Sequence, residues 1–360
     1  MTSTEWPEQV PGPPGSGSPR SRWSTGLKIG ILLLILIALG WVLLITGQYC
    51  STGKPINELP GVPAPLDDLF DSSSFKYVAS IEGLQNPMGV AVGLDGRVYV
   101  TETGGARKIH IYNSTGSPEL GSFSSPDSDT ADRVPIYVAV NPNGGDVYVS
   151  DRGASKVFIF SPDGESKGEV APPEGVENWH PLALTFDKVG NLYVADVTPE
   201  KHRVVVMDPA GKLTLSFGSQ GEKEGQFSYP NGIAVDDKGR IFVTDSNNGR
   251  MQAFDKDGKF LFLIGRGMSK GDLAMPRGIA IDTKGRLLIV DTTRGSIQAY
   301  KVSDSGEAEE DSRPVEFKGV FYGDSGRRIS FQFPNGMALD GHNKVYIADR
   351  GNNRVSIWEY

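Results

Sequence analysis

The sequence predicts an all-β fold, a six-bladed β-propeller preceded by one N-terminal transmembrane helix, and three observations predict the propeller. A proline followed by a short apolar run recurs at Pro87, Pro135, Pro181, Pro230, Pro276 and Pro334, at intervals of 48, 46, 49, 46 and 58 residues. Each copy holds short pieces rich in Val, Ile, Phe and Tyr, separated by Asp-Gly and Asn-Gly turns, which is the grammar of strands and tight hairpins. The position four residues after each proline is always small: Ala91, Ala139, Thr185, Ala234, Ala280 and Ala338. Self-similarity at this period indicates a solenoid or a radial array. A slot restricted to small side chains favours the radial case, because innermost strands converge on an axis where large groups collide.

Taken in order, residues 1–28 are rich in Pro, Gly and Ser and read as a disordered cytoplasmic tail. Residues 29–47 open on IGILLLILIALGWVLLI and carry no charge, enough to cross a bilayer core of roughly 30 Å. Arg20, Arg22 and Lys28 precede this run, while Glu58, Asp67, Asp68 and Asp71 outweigh Lys54 after it. The positive-inside rule then leaves the N-terminus in the cytoplasm and the rest of the chain outside. Cleavage as a signal peptide is disfavoured by the long leader and the missing A-x-A-like site. Lipid anchoring at Cys50, the single cysteine, is disfavoured by Gln48 and Tyr49 before it. Residues 48–74 read as an extracytoplasmic Pro/Ser-rich stalk.

Residues 75–360 form the propeller. In the fourth copy the four strand-like pieces are GIAVD, RIFVTD, RMQAF and KFLFLIG. The first two kinds of piece are apolar almost throughout, as expected where both faces of a blade pack on neighbours. The sixth copy stops at Tyr360 after three strands, and an orphan strand, FKYVASIEG at residues 75–83, precedes the first copy. The orphan supplies the missing strand and clasps the ring shut, which removes exposed sheet edges.

An acid stands fifteen positions after the proline at Glu102, Asp196, Asp245, Asp291 and Asp349, and one further on at Asp151. A ring of carboxylates suggests a cation site. The architectural alternative weighs more: an acid needed in every blade ends the second strand, accepts turn amides and pairs with a nearby base, as Asp245 with Arg250 and Asp349 with Arg354.

The pattern P-x-G-I-A-V-D-x-x-G-x-I-x-V-x-D-x-x-N-x-R, nearly whole in the fourth and sixth copies, resembles the NHL repeat. The connector GSQGEKEGQFSYP is also similar to that family's, and the resemblance spans residues 75–360. With its anchor, the chain resembles the membrane-anchored, bacterial type of NHL protein. The resemblance implies a six-bladed NHL-type propeller and, most often, a binding platform. A minority of related propellers are metal-dependent enzymes, peptidyl-hydroxyglycine lyases with zinc held by three histidines, or gluconolactonase-like enzymes with a calcium-like ion.

Connectors entering the first strand and loops between second and third strands open on one end of a propeller. The residues beside each proline are therefore expected to line the channel mouth: Met88, Ile136 and Tyr137, Trp179 with His180 and Leu182, Tyr229 and Asn231, Arg277, and Asn335. These vary where the scaffold repeats, which is where a specific site is built. Arg277 suits an anionic group, Asn231 and Asn335 offer amides, and Trp179 a stacking face. No catalytic residue and no resident metal is assigned. His110, His202 and His342 lie in other parts of their blades and do not meet His180. A serine-hydrolase elbow, G-x-S-x-G, is absent.

The net charge is −8, and residues 51–360 hold 33 bases against 42 acids. Such a domain is not a nucleic-acid binder, which needs a basic face. The expected partners are a protein, peptide or glycan at the mouth, and a membrane through residues 29–47. The acidic stretch SDSGEAEEDSR in the fifth copy reads as a solvated loop, and Asn113-Ser114-Thr115 matches a glycosylation acceptor.

Overall fold

The computed structural model describes residues 75–126, 132–172, 176, 179–303, 314–324 and 329–360, and six four-stranded antiparallel sheets organise them. The tail, the apolar run at 29–47, the stalk and the acidic stretch at 304–313 lie outside the described residues. No helix among the described residues is long and apolar enough to cross a membrane.

Each blade begins at a repeat proline. The innermost strands are Pro87–Val92, Pro135–Val140, Pro181–Phe186, Pro230–Val235, Pro276–Ile281 and Pro334–Leu339. Proline fits there because the first residue of an edge strand needs no ladder donor. Every repeat proline faces its blade's acid in register, Pro87 opposite Glu102 through Pro334 opposite Asp349. In all six blades the register then slips by a bulge just after the proline. Such a bulge bends the strand and re-aims the side chains beside it.

The sixth sheet takes its outermost strand, Lys76–Ile81, from the front of the domain, paired antiparallel with Arg354–Glu359. Pro87–Val92 lies against Pro334–Leu339, so the first and last blades touch and the ring is complete. An aromatic cluster joins this seam. Phe75 stacks on Phe321 at 4.5 Å, and buried Trp358 meets Phe321 at 4.7 Å and Tyr77 at 5.3 Å.

The apolar core is divided between blades rather than gathered at the centre. One cluster joins Val90 and Val98 of blade 1 to Tyr346 and Ile357 of blade 6, and another joins Tyr99 to Val149 and Phe160 across blades 1 and 2. Hydroxyls staple neighbouring blades as well. Thr101 Oγ1 donates to the Ile136 carbonyl and Ser150 Oγ to that of Leu182, each at 2.6 Å. Thr244 Oγ1 donates to the Arg277 carbonyl at 2.6 Å and Thr292 Oγ1 to that of Pro334 at 2.7 Å.

This crowding explains the glycine of the repeated Pro-Asn-Gly. Gly232 and Gly336 do not need a left-handed backbone; they need space. A Cβ on Gly232 would lie 2.2 Å from the Arg277 carbonyl oxygen, and one on Gly336 2.6 Å from that of Met88.

Candidate functional site

The six small residues expected near the axis all line it. They surround a shaft of about 380 Å³ with Pro142, Asp187 and Lys188, from the hairpins joining first and second strands, at one end. Tyr137 and Asn231 bound the other. The Tyr137 hydroxyl, from blade 2, donates to Asn335 Oδ1 of blade 6 at 2.9 Å and stands 3.5 Å from Asn231 Oδ1 of blade 4. Three alternate blades thus meet across the axis. Burial pushes the Tyr137 phenol up to about 12, with Arg277 pulling the other way, so the hydroxyl stays a neutral donor.

The residues expected to form an open rim therefore divide. Met88, Ile136, Tyr137, Leu182, Asn231 and Asn335 are all buried, and Tyr137, Asn231 and Asn335 form a latch across the axis instead. The bulge after the proline is the physical reason, since it turns this part of the strand toward the axis. Trp179 is also buried, in the core shared by blades 2 to 4, and offers no stacking face. His180, Tyr229 and, in part, Arg277 reach the surface.

The surroundings of the latch have two unlike halves. The position after the repeat proline holds Met88, Ile136 and Leu182 in blades 1 to 3, and Asn231, Arg277 and Asn335 in blades 4 to 6. In the polar half, Asn231 Nδ2 donates to the Tyr229 carbonyl and to Ser246 Oγ, both at 2.9 Å, and Asn335 Nδ2 lies 3.6 Å from Met88 Sδ. Arg277 is the exception. Its Nε is buried without an acceptor, and it has no carboxylate partner among the described residues.

Sequence reasoning missed one residue on this face, Phe333. It is 60% exposed just before Pro334, as Tyr229, at 42%, is just before Pro230. An aromatic directly preceding a repeat proline was the available signal.

The six acids are buried and hold the connectors down. Asp245 accepts the Ser228 amide at 2.6 Å and Asp349 the Gln332 amide at 2.7 Å; Glu102 takes that of Gln85, Asp151 that of Val134, Asp196 that of His180 and Asp291 that of Ala274. Arg203, Arg250 and Arg354 pair with Asp196, Asp245 and Asp349 at 2.8–2.9 Å, and Arg294 lies 3.4 Å from Asp291. Arg250 also donates to the carbonyls of Glu222, Lys223 and Gln226, fixing the connector that precedes blade 4. Burial pushes Asp245 and Asp349 above the ordinary carboxylate range, while amides, asparagines and arginines pull them back.

The histidines do not converge. His110 Nδ1 lies 2.8 Å from Glu119, His180 Nδ1 3.0 Å from Ser155 Oγ, and His202 is buried edge-on to Tyr229 at 4.9 Å. His342 contacts the Asp340 carbonyl in a first hairpin. Among the described residues no three His, Cys, Asp or Glu side chains are grouped to hold a metal ion. Asn113 sits in a hairpin turn, where its Oδ1 accepts the Thr115 amide at 2.9 Å.

Comparison with known proteins agrees with this architecture. The family model described as NHL repeat matches residues 227–254 and 331–358. Protein lin-41 of Caenorhabditis elegans is 31% identical over 120 residues, 29% of this chain and 10% of that protein. E3 ubiquitin-protein ligase TRIM71 of Rattus norvegicus is 30% identical over 134 residues, 33% of this chain and 15% of that protein. NHL repeat-containing protein 3 of Mus musculus is 28% identical over 181 residues, 46% of this chain and 50% of that protein. The matched part thus spans half or less of these relatives. Among solved structures, a streptogramin B lyase superposes with a TM-score of 0.54 at 17% identity, covering 79% of this chain and 97% of that one. The PQQ-bound aldose sugar dehydrogenase of Streptomyces coelicolor gives 0.54 at 16% identity, covering 79% and 98%. At such identity these two share the fold alone. Two stretches of the chain, residues 227–254 and 331–358, match the NHL repeat, and they lie in the fourth and sixth blades of a six-bladed β-propeller.

Proposed function

We propose that this chain is a membrane-anchored scaffold that presents its propeller outside the membrane and binds a protein partner on the face of the proline connectors. The observation that carries the binding part is the set of side chains exposed beside the repeat prolines, His180, Tyr229 and Phe333 with Arg277 half-buried, which differ between blades while the proline, acid and small axial residue recur. Variation gathered at one face of a rigid ring is how a repeat fold acquires a specific partner. Relatives that include a protein named as a ubiquitin ligase support a protein partner over a small substrate. Anchoring rests on the uncharged run at 29–47 and on the bases before it.

The metal-dependent lyase or lactonase alternative lacks a gathered ligand set among the described residues, and no observation favours it.

The test places a photo-crosslinking amino acid at Tyr229 and Phe333, or at Leu94 and Val189, which are exposed in the hairpins at the other end. A discrete protein adduct from the first pair alone is expected. Adducts only from the second pair, or from neither, overturn the assignment. For the anchor, protease added to intact cells should remove the propeller, and deletion of residues 29–47 should release it from the membrane fraction. A propeller protected from the protease refutes the topology.

A further inference from the structure

We propose that the connector face recognises an internal acidic side chain of a partner peptide, its carboxylate paired with Arg277 and the apolar residues on either side of it set against Tyr229 and Phe333. The inference rests on the protein-binding reading above and names the chemistry of the partner.

The first argument is strain. Tyr229 has φ +55° and Phe333 φ +46°, both in the left-handed region, which is an outlier for bulky residues. Both also precede proline, which pushes a residue toward extended backbone. Blade 1 answers the same demand with Asn86 at φ +51°, a residue whose short polar side chain tolerates this conformation. Tyr229 has a local reason for its ring in the edge contact with His202. Phe333 has none: it is 60% exposed and its ring meets no other ring among the described residues. Strain combined with exposure serves the surface rather than the fold.

The second argument is the unmatched cation. Arg277 stands on blade 5, between the blades that carry Tyr229 and Phe333. The amides and hydroxyl around it are engaged with one another, while its Nε is enclosed without an acceptor. The side chain as a whole is only half-buried and has no carboxylate partner among the described residues, which leaves the guanidinium fork open to a carboxylate from outside.

The flanking aromatics decide which carboxylate. A ligand that reaches both must continue on each side of the acid, which fits an internal glutamate or aspartate rather than a chain terminus. A chain of net charge −8 also repels polyanions, so one acid among apolar residues suits the face better than a nucleic acid.

The test uses the full-length chain and arrays of capped nine-residue peptides with a central Glu and varied apolar neighbours. Matched arrays carry central Gln, central Lys, or Glu as a free C-terminus. Binders are expected in the central-Glu array, weakened at least tenfold by Gln, by Arg277→Gln and by Phe333→Asn, with partial retention in Arg277→Lys. Phe333→Asn copies Asn86, so its Tm should hold or rise while binding is lost. A purely structural Phe333 gives the reverse, a lowered Tm with binding kept. Equal binding of Glu and Gln peptides, preference for the free C-terminus, or no binder in any array overturns the proposal. Should the arrays fail while crosslinks from Tyr229 and Phe333 still reach a protein, the carboxylate reading falls and the scaffold reading stands.

Discussion

The hydroxyl of Tyr137 in blade 2 donates a 2.9 Å hydrogen bond to Oδ1 of Asn335 in blade 6, joining residues 198 apart in sequence across the propeller axis. Two other facts make the contact matter. Asn335 is fully buried, and the slot that Tyr137 occupies holds glycine in four of the other five blades, as Gly89, Gly232, Gly278 and Gly336. Those four glycines are packed against the backbone of the next blade, whereas Tyr137 carries a ring that reaches across the axis.

Tyr137→Phe keeps the ring and removes the donor, leaving the Asn335 oxygen buried without its hydroxyl partner. Such an orphan costs about 1–3 kcal/mol. Chemical denaturation should show a lower midpoint at unchanged slope. Asn335→Ala alone and the double variant complete a cycle in which the two losses are less than additive, because both remove the same bond. Full additivity refutes the latch.

The seam of the ring gives a second prediction. Deleting residues 75–83 strips the outer strand from blade 6 and uncovers the edge of Arg354–Glu359. The Tm should fall steeply, and the chain should become prone to association through the bare edge. Trp358→Ala tests the same seam without shortening the chain. Removing this fully buried ring should lower stability by about 3–5 kcal/mol. An unchanged melt in both variants contradicts closure by the N-terminal strand.

The buried acids predict a graded series. Asp245 holds the Ser228 amide, Asn248 and Arg250 together. Asp245→Asn retains a carbonyl acceptor but leaves Arg250 enclosed without its counter-charge. Asp245→Ala removes both functions, and breaking a buried pair in this way costs about 3–5 kcal/mol. Thermal stability should rank native, then Asn, then Ala. Asp151 is bonded by Ser125 and the amides of Val134, Gly153 and Ala154 rather than by an arginine in the third strand as Asp245 is. Asp151→Asn should therefore cost less than Asp245→Asn, and calorimetry of the two variants decides it.

Much of this was legible in the sequence because it repeats. Six prolines, six acids and six small residues report a geometry that every blade must satisfy, and the missing fourth strand after Tyr360 pointed to the orphan piece before blade 1. The latch was not legible. That Asn231 and Asn335 turn inward depends on a bulge after the proline, and a bulge is a register slip with no residue signature of its own. The contact between Tyr137 and Asn335 needs the ring already closed, since nothing local relates blade 2 to blade 6. Trp179 shows the limit from the other side: a large aromatic beside a repeat proline reads as surface chemistry, yet here it fills the core between blades. Phe333 was not legible either, because a phenylalanine in an apolar connector reads as packed, yet in the closed ring it stands 60% exposed.

His202 makes stability depend on pH. It is 2% exposed, and burial holds its imidazole below the ordinary value of 6.5, although the Phe227 carbonyl and the charges of Asp245 and Asp196 pull the other way. The folded state thus favours the neutral ring, whereas the unfolded chain takes up a proton near 6.5. By linkage, the unfolded state binds more protons in this range, so stability is full above 6.5 and declines as pH falls through the folded value. Melts between pH 7.5 and pH 5 should show this decline well before the carboxylates titrate. In His202→Gln, which keeps a polar group near Tyr229 and cannot titrate, the same interval should be flatter. Parallel curves for native and variant would remove His202 as the source of the slope.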